Sequence, residues 1–348
     1  MSRTHDIVVI GGSAGGLEAL RPLLARLPVG LPASILIVLH VGPVSYLPEI
    51  LDRICPLPVV AARSGEMLQH GKVYIAIPGV HLLVHHNHLL LRRGPRENLS
   101  RPAIDPLFRS AAACCTTRVI GILLSGALSD GVAGLGTIKR CGGIALAQDP
   151  DDALVPAMPA NARRAVDLDL VLPMAEMAEA LAALVQRPAP PPVEVPMDIQ
   201  LETAIAAQEL ADMKVDDILG KPSRFTCPEC QGTLWEIRDG SMLRFRCHVG
   251  HAFNSEAVLA AYGEQIENTL TRLQRSHQER AALARRMAES ERAEERHHLA
   301  DELERRADGY DEDALLVQHL MRTGFVGPRD ESRDDEPGDT RQDGEIGS

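Results

Sequence analysis

The chain has 348 residues, 45% of them hydrophobic, with a formal net charge of -12. That length and apolar content allow one large core plus one or two smaller modules, and an acidic excess with no Lys/Arg-dense stripe argues against a nucleic-acid surface. The polar opening MSRTHD lacks the pattern of a secretory signal, and no apolar run approaches a membrane span, so no membrane insertion is expected.

Seven cysteines are an odd number, and Cys55, Cys114, Cys115 and Cys141 are scattered among apolar segments, where reduced thiols behave as small hydrophobes. A reducing, cytoplasmic compartment is expected.

From Asp6 to about Val185, apolar runs alternate with amphipathic stretches: IVVI, LEALRPLLARL, ILIVL, VYIAI, VIGILL and IALA. This alternation predicts an α/β doubly wound, mostly parallel sheet with crossover helices. HLLVHHNHLLL, from His81 to Leu91, reads as two short antiparallel strands around a turn. The proline-dense RPAPPPVEVP then suits a linker. A short acidic helix, a Cys/His cluster and a long helical stretch follow. In that stretch Leu259, Tyr262, Ile266, Leu270 and Leu273 recur at three- and four-residue steps, then Leu283 and Met287, as on a helix face that packs on something. The expected division is a catalytic domain over 1–185, linker and short helix over 186–222, a Cys/His module over 223–254, a helical extension over 255–325 and a disordered acidic tail over 326–348.

Ser13 stands in GGSAGG, between the strand IVVI and a helical run. A G-x-S-x-G turn in that context lifts the serine above the sheet edge and aims the next backbone N–H, that of Ala14, at a developing oxyanion. The rival reading is a dinucleotide cradle, but a fingerprint would want glycine where Ser13 stands and an acid where ILIVL instead ends in His40. Ser13, His40 and Asp130 each follow a separate apolar run, so a parallel sheet brings all three to one carboxyl edge. Serine needs a base, and the base a carboxylate to hold its tautomer. Asp105 and Asp149 compete for the third role; Asp130 is preferred because SGALSDG puts it in a glycine-flanked turn beyond a buried strand.

GGSAGG, VLHVGP, GKVYIAIPGVHLLV, RPAIDPLFRSAA and LLSGALSDGVAGLGTIKRCGG, in that order over residues 6 to 185, resemble the catalytic domain of the chemotaxis protein-glutamate methylesterases of the CheB type. The resemblance implies hydrolysis of glutamate γ-methyl esters on a methyl-accepting chemoreceptor or similar helical signalling protein, releasing methanol, with glutamine deamidation in some members. Ser13 would be the nucleophile, His40 the general base and Asp130 the orienting acid, with the backbone N–H groups near Ala14 and Ala127 as the oxyanion hole. Two departures stand out. The catalytic strand begins at once where family members usually carry a receiver domain, and Ala127 stands where the family often has methionine. The alternative of another class is a non-catalytic signalling adaptor that retains the esterase fold. His81, Arg101 and Asp105 are read as groove-shaping residues or as caps and pairs.

Cys227-Pro-Glu-Cys230, sixteen residues containing the turn Arg238-Asp239-Gly240, and Cys247-His-Val-Gly-His251 supply four ligands as C-x2-C and C-x3-H. Two knuckles on a hairpin predict a structural zinc site in a zinc-ribbon-like module, with His251 rather than His248 closing it and no open position for substrate. No cofactor is expected for catalysis. A helix as long as the one at the end suits self-association.

Overall fold

A computed structural model describes residues 3–42, 44–209, 219–239 and 242–323. The tail expected over 326–348 and Gly240 of the hairpin turn lie outside them. Residues Met1–Tyr262 and Gly263–Ser348 form two compact units.

The apolar runs of the first unit become β1 (Ile7–Gly12), β2 (Ser34–Leu39), β3 (Val59–Ala61), β4 (Lys72–Ile75), β7 (Val119–Leu123), β8 (Ile144–Gln148) and β9 (Leu170–Leu172). They form one sheet in the order β3-β4-β2-β1-β7-β8-β9, with every neighbouring pair parallel. The helices that cover it are α1 (Gly16–Ala25), α2 (Leu47–Asp52), α3 (Ile104–Cys115), α4 (Val132–Arg140), α5 (Ala157–Ala165) and α6 (Met174–Leu184). Side chains on a strand alternate, and the two faces lead to two cores. Ile7 and Val9 join Leu107 and Phe108 of α3 and Leu135 of α4; Val8 and Ile10 join Leu20 and Leu23 of α1 and Leu181 of α6. Burial on both faces is why the strands read as unbroken apolar runs.

The chain lays β2 to β4 on one side of β1 and β7 to β9 on the other. Strand order therefore reverses beside β1, which leaves a crevice at the carboxyl ends of the central strands. Between His81 and Arg92 the expected hairpin is β5 (His81–His85) and β6 (His88–Arg92), turned through His86 and Asn87, both with positive φ.

The proline-dense stretch is held against the sheet domain. Ala189 N–H donates to the Arg3 carbonyl at 2.8 Å, and the Thr117 hydroxyl to that of Pro190 at 2.8 Å. Then α7 (Met197–Ala206) buries Ile199, Glu202 and Ala206. The Cys/His segment forms an antiparallel sheet of β10 (Lys221–Thr226), β11 (Thr233–Asp239), β12 (Met242–Cys247) and β13 (Ala252–Asn254). Cys227, Leu234, Phe245, Cys247 and Phe253 fill its small core.

The long C-terminal helix is α8 (Ser255–Ala293), and a second, α9 (His297–Thr323), follows it. In the second unit Ile266, Leu273, Leu283 and Met287 are exposed, while Ala281, Ala284, Ala288, Ala300, Ala307 and Ala314 are buried. Small side chains let the two helix axes approach, and the large residues that set the apparent period are left outside. Arg285 pairs with Asp311 at 2.6 Å, Arg292 with Glu304 at 2.8 Å, and the Arg280 guanidinium lies 3.9 Å from the Tyr310 ring centroid. Ala307→Leu should overpack this seam and cost about 1–3 kcal/mol. Circular dichroism melting of the full chain checks it; an unchanged helical transition would contradict the seam.

Candidate active site

Ser13 leaves β1 in a tight turn, its N–H donating to the Ser125 carbonyl at 2.9 Å and its own carbonyl accepting from Gly16 N–H at 2.8 Å. The turn needs Gly15, whose φ is 75°, since a Cβ there would lie 2.5 Å from Ser125 Oγ. One strand over, His40 extends the β2 ladder by donating its N–H to the Gly12 carbonyl at 3.1 Å. Its Nδ1 lies 3.2 Å from Ser13 Oγ and its Nε2 2.8 Å from Asp130 Oδ2. An ionised carboxylate only accepts, so Nε2 carries the proton and the Nδ1 lone pair faces the serine hydroxyl.

Asp130 is buried beyond β7. Ile104 N–H donates to it at 2.7 Å and Asp105 N–H at 3.3 Å, both from the first turn of α3, and Asn98 Nδ2 donates at 2.8 Å. Burial pushes its carboxyl up, but the bond from His40, the histidine's charge and these donors outweigh it and hold Asp130 below the usual carboxylate range. The three residues brought together by sequence reasoning are thus joined in one hydrogen-bonded series. Among the described residues no hydrogen bond links Asp105 or Asp149 to His40; Asp149 Oδ1 instead accepts from Asp151 N–H at 3.1 Å.

Gly126 packs so close to Ser13 that a Cβ there would lie 2.9 Å from Ser13 Cβ, so the segment carrying Ala127 runs beside the turn that carries Ala14. Next to His40 opens a cavity of about 340 Å³ lined by Val41, Pro78, Arg96, Leu99 and Arg101. Arg101 donates to the Gly94 carbonyl at 2.7 Å, and buried His81 lies 2.8 Å from the Pro95 carbonyl and accepts from Ala103 N–H at 3.2 Å. Both brace the 94–103 segment.

Two groups left no signal in the sequence. Asn98, with φ at 49°, sits in the polar stretch RENLSRP and donates to Asp105 Oδ2 at 2.8 Å as well as to Asp130. The other is a buried ion network. Arg109 of α3 pairs with Glu97 at 2.7 Å and Glu202 of α7 at 3.3 Å, and Arg244 and Arg246 of β12 reach Glu202 at 2.5 and 2.8 Å. Burial alone would raise Glu202, but the three guanidiniums hold it well below its ordinary value.

In the Cys/His module, ligand atoms of Cys227, Cys230, Cys247 and His251 all lie within 4.8 Å of one another. Cys230 and Cys247 Sγ are 3.6 Å apart, and His251 Nδ1 is 3.5 Å from Cys247 Sγ and 3.8 Å from Cys227 Sγ. A tetrahedron with Zn–S bonds of about 2.3 Å has edges of about 3.7 Å, so three thiols and an imidazole at these separations fit a zinc-sized ion. His248 instead meets the Trp235 ring edge-on, with centroids 3.9 Å apart.

Buried Asp105 is pushed up to about 7, first by burial and then by the charge of Asp130, with Gly134 N–H pulling the other way. A carboxyl raised above its unfolded value contributes stability that is complete below that unfolded value and is lost as pH rises through about 7. Unfolding of the full chain by urea, followed by the fluorescence of Trp235, its only tryptophan, should lose stability from about pH 5 to pH 8 more steeply than in Asp105→Asn. Equal slopes would contradict this.

Comparisons with known proteins agree with the fold. A Leptospira interrogans chain named for protein-glutamate methylesterase and protein-glutamine glutaminase is 38% identical over 185 residues, covering 52% of this chain and 96% of its own. A Methanospirillum hungatei protein-glutamate methylesterase/protein-glutamine glutaminase is 37% identical over 184 residues, covering 52% of this chain and 53% of its own. The crystal structure of the Thermotoga maritima CheB methylesterase catalytic domain superposes with a TM-score of 0.50 at 33% identity, covering 52% of this chain and 98% of that one. Residues 8–181, which carry β1 through most of α6 and all three residues of the hydrogen-bonded series, match the family described as CheB methylesterase, and the chain belongs to that family.

Proposed function

We propose that this chain hydrolyses glutamate γ-methyl esters on a methyl-accepting chemoreceptor or similar helical signalling protein, using Ser13 as nucleophile, His40 as general base and Asp130 as the carboxylate that orients the base. The observation that carries this reading is the series Ser13 Oγ, His40 Nδ1, His40 Nε2, Asp130 Oδ2, with steps of 3.2 and 2.8 Å. The names of the relatives supply the substrate class.

Ser13 Oγ attacks the ester carbonyl carbon while His40 Nδ1 takes its proton. Asp130 stabilises the imidazolium. The Ala14 and Ala127 N–H groups face the oxyanion, a contribution of roughly 10²–10³ in rate per donor. Collapse breaks the bond to the methoxy oxygen, which leaves as methanol with the proton from His40. Water then attacks the acyl-Ser13 ester, again deprotonated by His40, and releases the glutamate carboxyl and free Ser13. A glutamine side chain would release ammonia by the same route. The cavity beside His40 would admit the side chain.

Cys227, Cys230, Cys247 and His251 would hold a structural zinc, with every position filled by protein and none left for the reaction. The free thiols Cys55, Cys114, Cys115 and Cys141 support action in a reducing cytoplasm; among the described residues no helix is long and apolar enough to cross a membrane. The exposed Leu259 and Ile266 of α8, and Leu315 and Leu316 of α9, would support self-association.

Methanol release from membranes bearing methyl-esterified chemoreceptors should fall about 10³-fold or more in Ser13→Ala and His40→Ala, and by about 10²–10⁴ in Asp130→Asn. Undiminished release in Ser13→Ala would end the triad reading. Separately, the purified chain should carry one zinc ion, and Cys247→Ser should lose it; metal analysis showing none in the parent chain would refute the site.

A further inference from the structure

We propose that Asn98 is a positioning residue for the catalytic carboxylate and that the Cys/His module holds it in place, so that the module is a working part of the esterase site. This rests on the triad reading above.

Asn98 is buried, and its one amide group serves two carboxylates. Nδ2 donates to Asp130 Oδ1 and to Asp105 Oδ2, both at 2.8 Å. These acids lie close enough for the charge of Asp130 to act on Asp105, and a single NH2 between them supplies a proton to each. The other end of the side chain faces the module: Asn98 Oδ1 accepts from the backbone N–H of Asn254 at 2.9 Å. That arrangement sets the amide orientation. Turned over, the oxygen would face two carboxylate oxygens and the NH2 would face an N–H.

The module grips the backbone as well. Asn98 N–H donates to the Ala252 carbonyl at 2.8 Å, and Ala252 N–H to the Arg96 carbonyl at 3.3 Å. These partners are the residues of β13, which starts directly after His251. Asn98 and Leu99 both have left-handed φ, 49° and 65°. Leucine rarely adopts that conformation without support, and Leu99 packs on the core formed by Cys227, Phe245 and Phe253. On the far side of Asp130, Glu256 of α8 accepts from the hydroxyl of Ser129, the preceding residue, at 2.7 Å. Among the described residues the module makes no hydrogen bond to Ser13 or His40. Its influence runs through Asp130, which must be ionised and aimed at Nε2 for His40 to accept the serine proton.

The test uses the full chain. Asn98→Ala removes the donor, and Asn98→Asp keeps the acceptor for Asn254 N–H while placing a third carboxylate beside the pair. Asn254→Pro removes the N–H from the module side and the side-chain bond to Ala257 N–H, and Asn254→Ala measures that second loss by itself. Two readouts are taken: the pH profile of kcat and KM for methanol release, and the low-field proton resonance of His40 Nε2–H. Trp235 fluorescence reports whether the module has kept its fold.

Expected are a kcat about tenfold lower with KM little changed in Asn98→Ala and Asn254→Pro, an acid limb moved to higher pH, furthest in Asn98→Asp, and a shifted or broadened Nε2–H resonance. Asn254→Ala should show the smaller effect of the two variants at that position. If Asn254→Pro keeps its Trp235 signal and leaves kcat, acid limb and resonance as in the parent chain, the proposal is overturned. Should the parent chain release no methanol while the resonance still moves in Asn254→Pro, the reaction assigned above fails and the positioning stands.

Discussion

A buried carboxylate that must remain charged is the constraint on which this molecule is organised. Asp130 is removed from water, and an unpaired charge there would protonate rather than stay ionised. It is kept ionised by four donors from three directions: His40 from β2, the first two amides of α3, and the Asn98 side chain. The helix contributes because its first amides have no partner within it and point outward with the positive end of the dipole. Taking the charge away would deprive His40 Nε2 of its acceptor, and moving the helix would deprive the charge of its amide donors. The sheet, α3 and the 94–103 segment therefore have to be right together.

The second buried electrostatic cluster extends this dependence to the Cys/His module. Three arginines and two glutamates from α3, α7, β12 and the 94–103 segment meet out of solvent. Such a cluster is weak evidence for net stability, since desolvation offsets much of the attraction, yet deleting one member strands the rest at a cost of about 3–5 kcal/mol. Its effect is specificity: the bidentate Arg244–Glu202 pair and the Arg246 contacts admit one seating of β12 against α7 and Glu97. That seating places β13 against Asn98. The same register thus closes the candidate metal cluster and brings Asn254 N–H to the Asn98 amide that donates to Asp130.

Several features were legible because a local rule enforced them. Ser13, His40 and Asp130 each follow an apolar run, and parallel strands deliver their carboxyl ends to one edge regardless of the helices between them. The C-x2-C and C-x3-H spacings were legible because chelation is short-range. Other features broke local rules. Arg244 and Arg246 alternate on β12 as a solvated face would, and are buried only because Glu202 and Glu97 arrive from elsewhere. The large apolar residues of α8 and α9 set the visible helical period, but the packed seam is alanine, whose weak hydrophobic signal hides in sequence. Asn98 had no pattern to betray it, because its partners are 7, 32 and 156 residues away.

What this sequence determined by itself was the chemistry on offer and where along the chain it lay: a serine in a glycine turn, a histidine and an aspartate beyond buried strands, and a four-ligand Cys/His set. Backbone period, turn residues and ligand spacing are properties of neighbours in sequence, and they suffice for that. Tertiary structure alone decided that Nε2 carries the proton, that Asn98 bridges Asp105 and Asp130, and that β13 of the C-terminal module meets Asn98. Those outcomes turn on hydrogen bonds of about 2.8 Å between distant segments, and no local pattern encodes which distant donors will converge on a buried charge.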